Sequence, residues 1–182
     1  MPLTPEKRRA IEREYRPDDA VWTERQVYNA VRRHLTSDLL DDKWAPGGES
    51  YIEGADPRAG YCNVASQAFY WLMGAKSAGY KGMYLKHEGS PHWFVKSPTG
   101  KVWDLTAEQF ATPVPYGKGR GKYFPVYGYK PSKFSLKLLN RARKDLDRGR
   151  RAAKLRSSLV RLAYAQPSTR PLLLPLLKRA PR

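Results

Sequence analysis

The chain holds one cysteine, Cys62, in the segment GYCNVASQAFYWLMG, and His92 and Asp104 follow it in PHWFVKSPTGKVWDLTAEQF. A catalytic thiol must reach its thiolate form, and a helix N-terminus favours that form while offering N–H groups to an oxyanion. An imidazole must then take the proton, and a carboxylate must hold that imidazole in the right tautomer. Cys62 as nucleophile, His92 as general base and Asp104 as orienter supply those three groups. The chemistry they would share is attack on the carbonyl of an amide, ester or isopeptide, with water or an amine resolving the thioester.

Each residue also has a plainer reading. Free cysteine is among the most buried residue types. His92 stands beside Trp93 and Phe94 and suits a core histidine, Asp104 suits a strand end, and His87 in Lys-His-Glu-Gly-Ser is a competing base. A single cysteine excludes an internal disulfide and any Cys-rich zinc site, and His34, His87 and His92 lack close ligand spacing. No metal and no cofactor is expected.

The elements that would position these residues follow from periodicity. Val64, Ala65, Ala68, Phe69, Leu72 and Met73 recur on one side of a 3.6-residue period, which predicts a buried helix over 62–73 with Cys62 in its first turn and Gly74 at its stop. The runs 82–87, 92–96 and 102–106 read as strands, with Ser97-Pro98-Thr99-Gly100 as a turn. A hairpin centred on Pro98 would set His92 opposite Asp104 on one face of the sheet. Upstream, two helices are predicted near 5–15 and 23–35, and a breaker-rich loop spans 44–60. Downstream, 110–131 reads as an irregular Gly/Pro/Tyr/Lys arm laid over the domain, and 132–165 as a helix that Gly149 would break or kink.

The order of a cysteine at a helix start, a histidine on a strand and an aspartate on the next resembles the transglutaminase-like branch of the papain-like fold. The same segments are similar to a family of small phage and prokaryotic proteins in which a GYC-x-VAS-x-A block precedes HWF and D-x-T-x-x-QF blocks. The resemblance covers roughly residues 58–133. It implies an α+β fold with a papain-like core, a helix bearing Cys packed on an antiparallel sheet bearing His and Asp, and the triad Cys62, His92, Asp104. Thr106 and Gln109 match the pattern with roles left open. Tyr51, Tyr61 and Asn63 are the candidates for the side-chain oxyanion donor that papain-like enzymes carry.

Charge divides the chain unevenly. Residues 1–129 hold 18 Lys/Arg and 15 Asp/Glu, a net +3, whereas residues 130–182 hold 16 and 2, a net +14. The expected organisation is therefore a papain-like domain over 1–129 and a basic helical extension over 130–182. Such a block attracts polyanions through a salt-sensitive, sequence-independent attraction. Arg141, Arg143, Lys144, Arg148, Arg150, Arg151 and Lys154 are its candidate contacts, with nucleic acid the candidate partner beside an unknown peptide or acyl substrate. Tyr123, Tyr127 and Tyr129 could stack on bases. Gly117-Lys118-Gly119-Arg120-Gly121-Lys122 lacks the Lys-Ser/Thr of a phosphate-binding loop and reads as a basic loop at the rim of the site. No apolar run is long enough to cross a bilayer and the N-terminus has no signal-peptide core, so a cytoplasmic or virion-associated protein is expected. The rival to a thiol enzyme is a catalytically silent papain-like scaffold whose basic third binds nucleic acid or a host or virion partner.

Overall fold

The computed structural model describes residues 3–40, 56–124, 129–166, 168 and 170–179. Among them are five α-helices and a four-stranded antiparallel sheet, a mixed α+β arrangement. Helix α1 (Pro5–Tyr15) starts where Thr4 accepts the Lys7 N–H and Pro5 occupies the first turn. Helix α2 (Glu24–Arg33) opens on a full capping box between Thr23 and Gln26 and buries Val27, Ala30 and Val31. Helix α3 (Cys62–Leu72) is almost entirely buried.

Strands β1 (Lys81–His87), β2 (Ser90–Lys96), β3 (Val102–Trp103) and β4 (Arg120–Gly121) lie in the order β3-β2-β1-β4. The β1–β2 hairpin turns through Glu88 and Gly89, both at positive φ, which matches the twist of a two-residue connection. Glu88 tolerates that backbone while its carboxylate accepts the Ala111 and Thr112 N–H groups and the Thr112 hydroxyl, tying the later segment to the hairpin tip.

The second hairpin corrects the expected register. Its pairs are Val95↔Trp103 and Lys96↔Val102, with the Ser97 N–H bonded to the Lys101 carbonyl. The loop is therefore Pro98–Gly100, with Gly100 at φ 85°, and the centre is Thr99 rather than Pro98. Strand β3 also stops at Trp103, so Asp104 lies just past it. Continuing the register sets Asp104 opposite Phe94, which leaves it a diagonal neighbour of His92 on the same face.

Because β3 is short, the β2 backbone at residues 91–93 has no strand partner on that side, and α3 takes its place. Ser66 Oγ donates to the Trp93 carbonyl at 3.0 Å and Cys62 Sγ to the Pro91 carbonyl at 3.7 Å. Residues four apart on a helix share a face, so one face of α3 serves both carbonyls. Phe69 meets Trp103 and Tyr80, and Tyr70 meets Phe124, which also stacks near Trp93.

Contacts divide the chain into two compact units, Met1–Arg143 and Lys144–Arg182. The long helix α4 (Lys133–Ala165) begins in the first unit, where Leu138, Leu139 and Ala142 are buried, and continues into the second. Gly149 lies within it and does not end it. The second unit adds α5 (Arg170–Arg179), which contains Pro175, and Arg170 Nε donates to the Ala163 carbonyl at 3.0 Å. Among the described residues no helix is long and apolar enough to cross a membrane.

Candidate active site

His92 projects from β2 with no exposed surface, and its Nε2 stands 2.6 Å from Asp104 Oδ2, on a side chain 4% exposed. A carboxylate only accepts, so Nε2 carries the proton and Nδ1 keeps its lone pair, the tautomer a general base requires. Asp104 is itself held on both oxygens: Oδ1 accepts the Thr106 N–H at 3.0 Å and Oδ2 accepts the Tyr116 hydroxyl at 3.0 Å. Burial, with Asp104 beside it, pushes the Tyr116 phenol up, which keeps it a donor.

Gln109 reaches the other ring nitrogen. Its Nε2 lies 3.3 Å from Nδ1 and 2.9 Å from both the Thr106 carbonyl and hydroxyl. Gln109 sits in a short turn over Ala107–Gln109, fixed from outside by Glu108, whose carboxylate meets Arg32 of α2 at 2.7 Å and Arg58 at 3.2 Å. Phe110 packs edge-on against both His92 and His87, at 4.7 and 4.8 Å between centroids. His87 bonds through Nε2 to the Thr112 carbonyl and hydroxyl at the hairpin tip, so the competing base is engaged in anchoring that segment.

Cys62 is the first residue of α3, after Tyr61, and no side chain caps the helix start. The expectation of a lowered thiol pKa is not met. Burial pushes the thiol from its ordinary 9.0 up to about 11, although the Trp93, Asn63 and Cys62 N–H groups pull the other way; the charge of Asp104 adds to the rise. Its hydrogen bond goes to the Pro91 carbonyl, one residue from His92, not to the imidazole. The helix N-terminus does act on the sulfur as expected, but removal from water outweighs it. At neutral pH the thiol of this conformation is protonated.

Of the three oxyanion candidates, Tyr61 is buried, Asn63 Oδ1 is occupied by the Gln67 amide at 2.6 Å, and Tyr51 lies outside the described residues. Tyr127 also lies outside them. The basic loop does pack by the site: a Cβ on Gly119 would stand 2.6 Å from the Phe94 ring, which meets the Tyr116 ring edge-on. Tyr116 went unnoticed in the sequence because it stands among Gly and Pro in the irregular arm. The visible signal for Gln109 was its place in the QF block.

The basic candidates separate by position. Arg141 pairs with Asp38 through both guanidinium nitrogens, at 2.7 and 3.1 Å, and Arg143 donates to the Glu14 carbonyl, so both bind the chain itself. Lys137 joins the Asp38 cluster, and together these donors hold that carboxyl well below the usual carboxylate range. Lys144, Arg148, Arg151 and Lys154 are exposed, while Arg148 and Arg150 lie 3.6 and 3.8 Å from Asp145 and Asp147. Among the described residues no group of three His, Cys, Asp or Glu side chains could hold a metal ion.

No family model, curated protein or solved structure matches the chain.

Proposed function

We propose that the chain is a thiol-dependent acyl-transfer enzyme of papain-like or transglutaminase-like architecture, with Cys62 as nucleophile, His92 as general base and Asp104 as orienter. The observation that carries this reading is the buried 2.6 Å contact of His92 Nε2 with Asp104, which leaves Nδ1 as the basic nitrogen next to the segment where Cys62 docks. Catalysis requires Sγ to leave the Pro91 carbonyl and turn toward Nδ1, and the Gln109 amide, 3.3 Å from Nδ1, to give up that lone pair. The S–H proton then passes to Nδ1 as Sγ bonds the substrate carbonyl carbon, and the imidazolium returns that proton to the departing amine or alkoxide. Water or an amine, deprotonated by the same nitrogen, cleaves the thioester and frees the thiol. The uncapped start of α3 offers N–H groups to the oxyanion.

The test is covalent trapping. On incubation with p-nitrophenyl acetate, the intact chain should gain one acetyl group on Cys62, seen by peptide mass spectrometry, with a burst of nitrophenolate. Cys62→Ala should lose the burst and His92→Ala should slow it at least a hundredfold. Acetyl groups on lysines alone, or a burst unchanged by His92→Ala, would refute the assignment.

A second reading is favoured by the protonated, carbonyl-bound thiol: a silent scaffold whose basic extension binds nucleic acid. The exposed Lys144, Arg148, Arg151 and Lys154 on α4 support it. In that case trapping fails while salt-dependent binding of DNA or RNA persists.

A further inference from the structure

A cavity of about 370 Å³ lies within the first unit, and none of Cys62, His92 or Asp104 lines it. Its walls are aromatic: Tyr70, Trp71, Phe124 and Tyr129 contribute ring surfaces, and ring contacts join Trp71 to Tyr70 and Tyr129, and Tyr70 to Phe124.

The rim is cationic. Lys76 and Lys122 line the cavity and are exposed, and neither ammonium is paired with a carboxylate among the described residues. Both rest instead on aromatic groups, Lys76 on the Tyr123 hydroxyl at 2.6 Å and Lys122 over the Tyr84 ring at 4.5 Å. Lys81 adds a third positive charge, and among the described residues no acidic one lines the cavity. The carboxylates that do reach wall residues, Glu12 and Glu24, accept the hydroxyls of Tyr129 and Tyr80.

Flat apolar walls of this size take a ring system, and unpaired ammonium groups at the mouth take an anion. We infer that this cavity is a binding site for a nucleotide, with the base among Tyr70, Trp71, Phe124 and Tyr129 and the phosphate at Lys76 and Lys122. A nucleotide combines a stacking face and a compact anion, in a volume that a cavity near the lower end of the usual ligand range accommodates. The nucleotide is either free or the phosphorylated end of a single strand. The site is independent of the thiol chemistry.

Calorimetric titration of the full chain with AMP, adenosine, inorganic phosphate and a 5′-phosphorylated tetranucleotide tests this, with thermal melts confirming that each variant folds. AMP should bind saturably, and adenosine and phosphate about tenfold or more weakly, since each lacks one half of the recognition. Lys76→Ala and Lys122→Ala should each weaken AMP about tenfold, while Arg148→Gln with Lys154→Gln in the extension leaves AMP binding unchanged. A tetranucleotide that binds more tightly than AMP to that extension variant identifies a strand end as the ligand; the reverse order identifies the free nucleotide. AMP binding no tighter than phosphate, or folded lysine variants with unchanged affinity, would overturn the assignment.

Discussion

The thiol pKa offers the sharpest test of the resting site. With the Cys62 thiol at about 11 rather than 9.0, the thiolate fraction at pH 7.5 falls from about 3% to about 0.03%, a hundredfold drop. Alkylation by iodoacetamide proceeds through the thiolate, so Cys62 in the folded chain should react about a hundredfold more slowly than the same cysteine in urea. The logarithm of the rate should climb by about one per pH step from 7 to 10, with no plateau. Replacing His92 by Asn should leave this profile in place, because Sγ bonds the Pro91 carbonyl and not the ring. Stability should carry the same signature. The fold favours the neutral thiol, so this contribution is fully present below pH of about 9 and is lost as pH rises through about 11, amounting to about 2–3 kcal/mol in denaturant titrations of wild type against Cys62→Ala. A rate plateau below pH 8 that disappears in the His92→Asn variant would mean a thiolate–imidazolium pair already exists in the free protein, and the reasoning from burial would fail.

Three further outcomes follow from the packing and the charge. Asp104→Ala removes the acceptor for a fully buried histidine N–H and for the Tyr116 hydroxyl, and should cost about 1.5–3 kcal/mol in urea denaturation. Gly119→Ala would drive a methyl to 2.6 Å from the Phe94 ring and 3.1 Å from the Tyr116 carbonyl, so a loss of about 1–3 kcal/mol is expected by the same measurement. Changing Lys144, Arg148, Arg151 and Lys154 together to glutamine should lower the slope of log affinity against log salt for single-stranded DNA by about 3, whereas Arg141→Gln should leave the slope in place and instead lower the melting temperature, because Arg141 is bound to Asp38.

Much of the site's scaffold is legible in the residues themselves, since the signals there are local. The apolar spacing of Val27, Ala30 and Val31 behind Thr23 marks α2, and that of Ala65, Ala68, Phe69 and Leu72 marks α3 with Cys62 at its head. The His92–Asp104 contact is also legible as a same-face pair, although through the wrong register: Gly100 closes a three-residue loop in the left-handed region, which moves the hairpin centre from Pro98 to Thr99. The pair still meets because the shift is a whole two-residue repeat on the partner strand, which keeps the face. What local pattern does not carry is burial. Whether a thiol at a helix start is lowered by the dipole or raised by lost water depends on how closely β2 approaches, and that is set by β3 ending early at Trp103. Strand β4 is two residues long and has no pattern to read. Helix α5 was hidden by Pro171 and Pro175, although Pro171 stands at its second position, where its missing N–H is not needed. Gly149 costs a helix only about 1 kcal/mol, too little to end one of 33 residues rich in Leu, Arg, Lys and Ala.

The distribution of hydrogen bonds says which part of the site must move if it is to act. Three groups from two segments of chain hold the His92–Asp104 pair: the Thr106 backbone and the Gln109 amide of one turn, anchored through Glu108 to Arg32 and Arg58, and the Tyr116 hydroxyl. Swinging the imidazole toward the sulfur would sacrifice a charge-assisted bond and leave a buried carboxylate short of a donor, each costing on the order of 1.5–3 kcal/mol. Turning the thiol breaks one weak S–H bond to a carbonyl at 3.7 Å and changes a single side-chain torsion, for which a cost of about 1 kcal/mol is the natural scale, and it also requires the long Gln109 contact with Nδ1, at 3.3 Å, to open. The fold thus fixes His92 and leaves the Cys62 thiol, with the Gln109 amide, as the adjustable members. Under the proposed function, a carbonyl substrate that displaced Sγ from Pro91 and the Gln109 amide from Nδ1 would bring thiol, imidazole and uncapped helix start together, and substrate entry, rather than a standing ion pair, would be the event that activates Cys62.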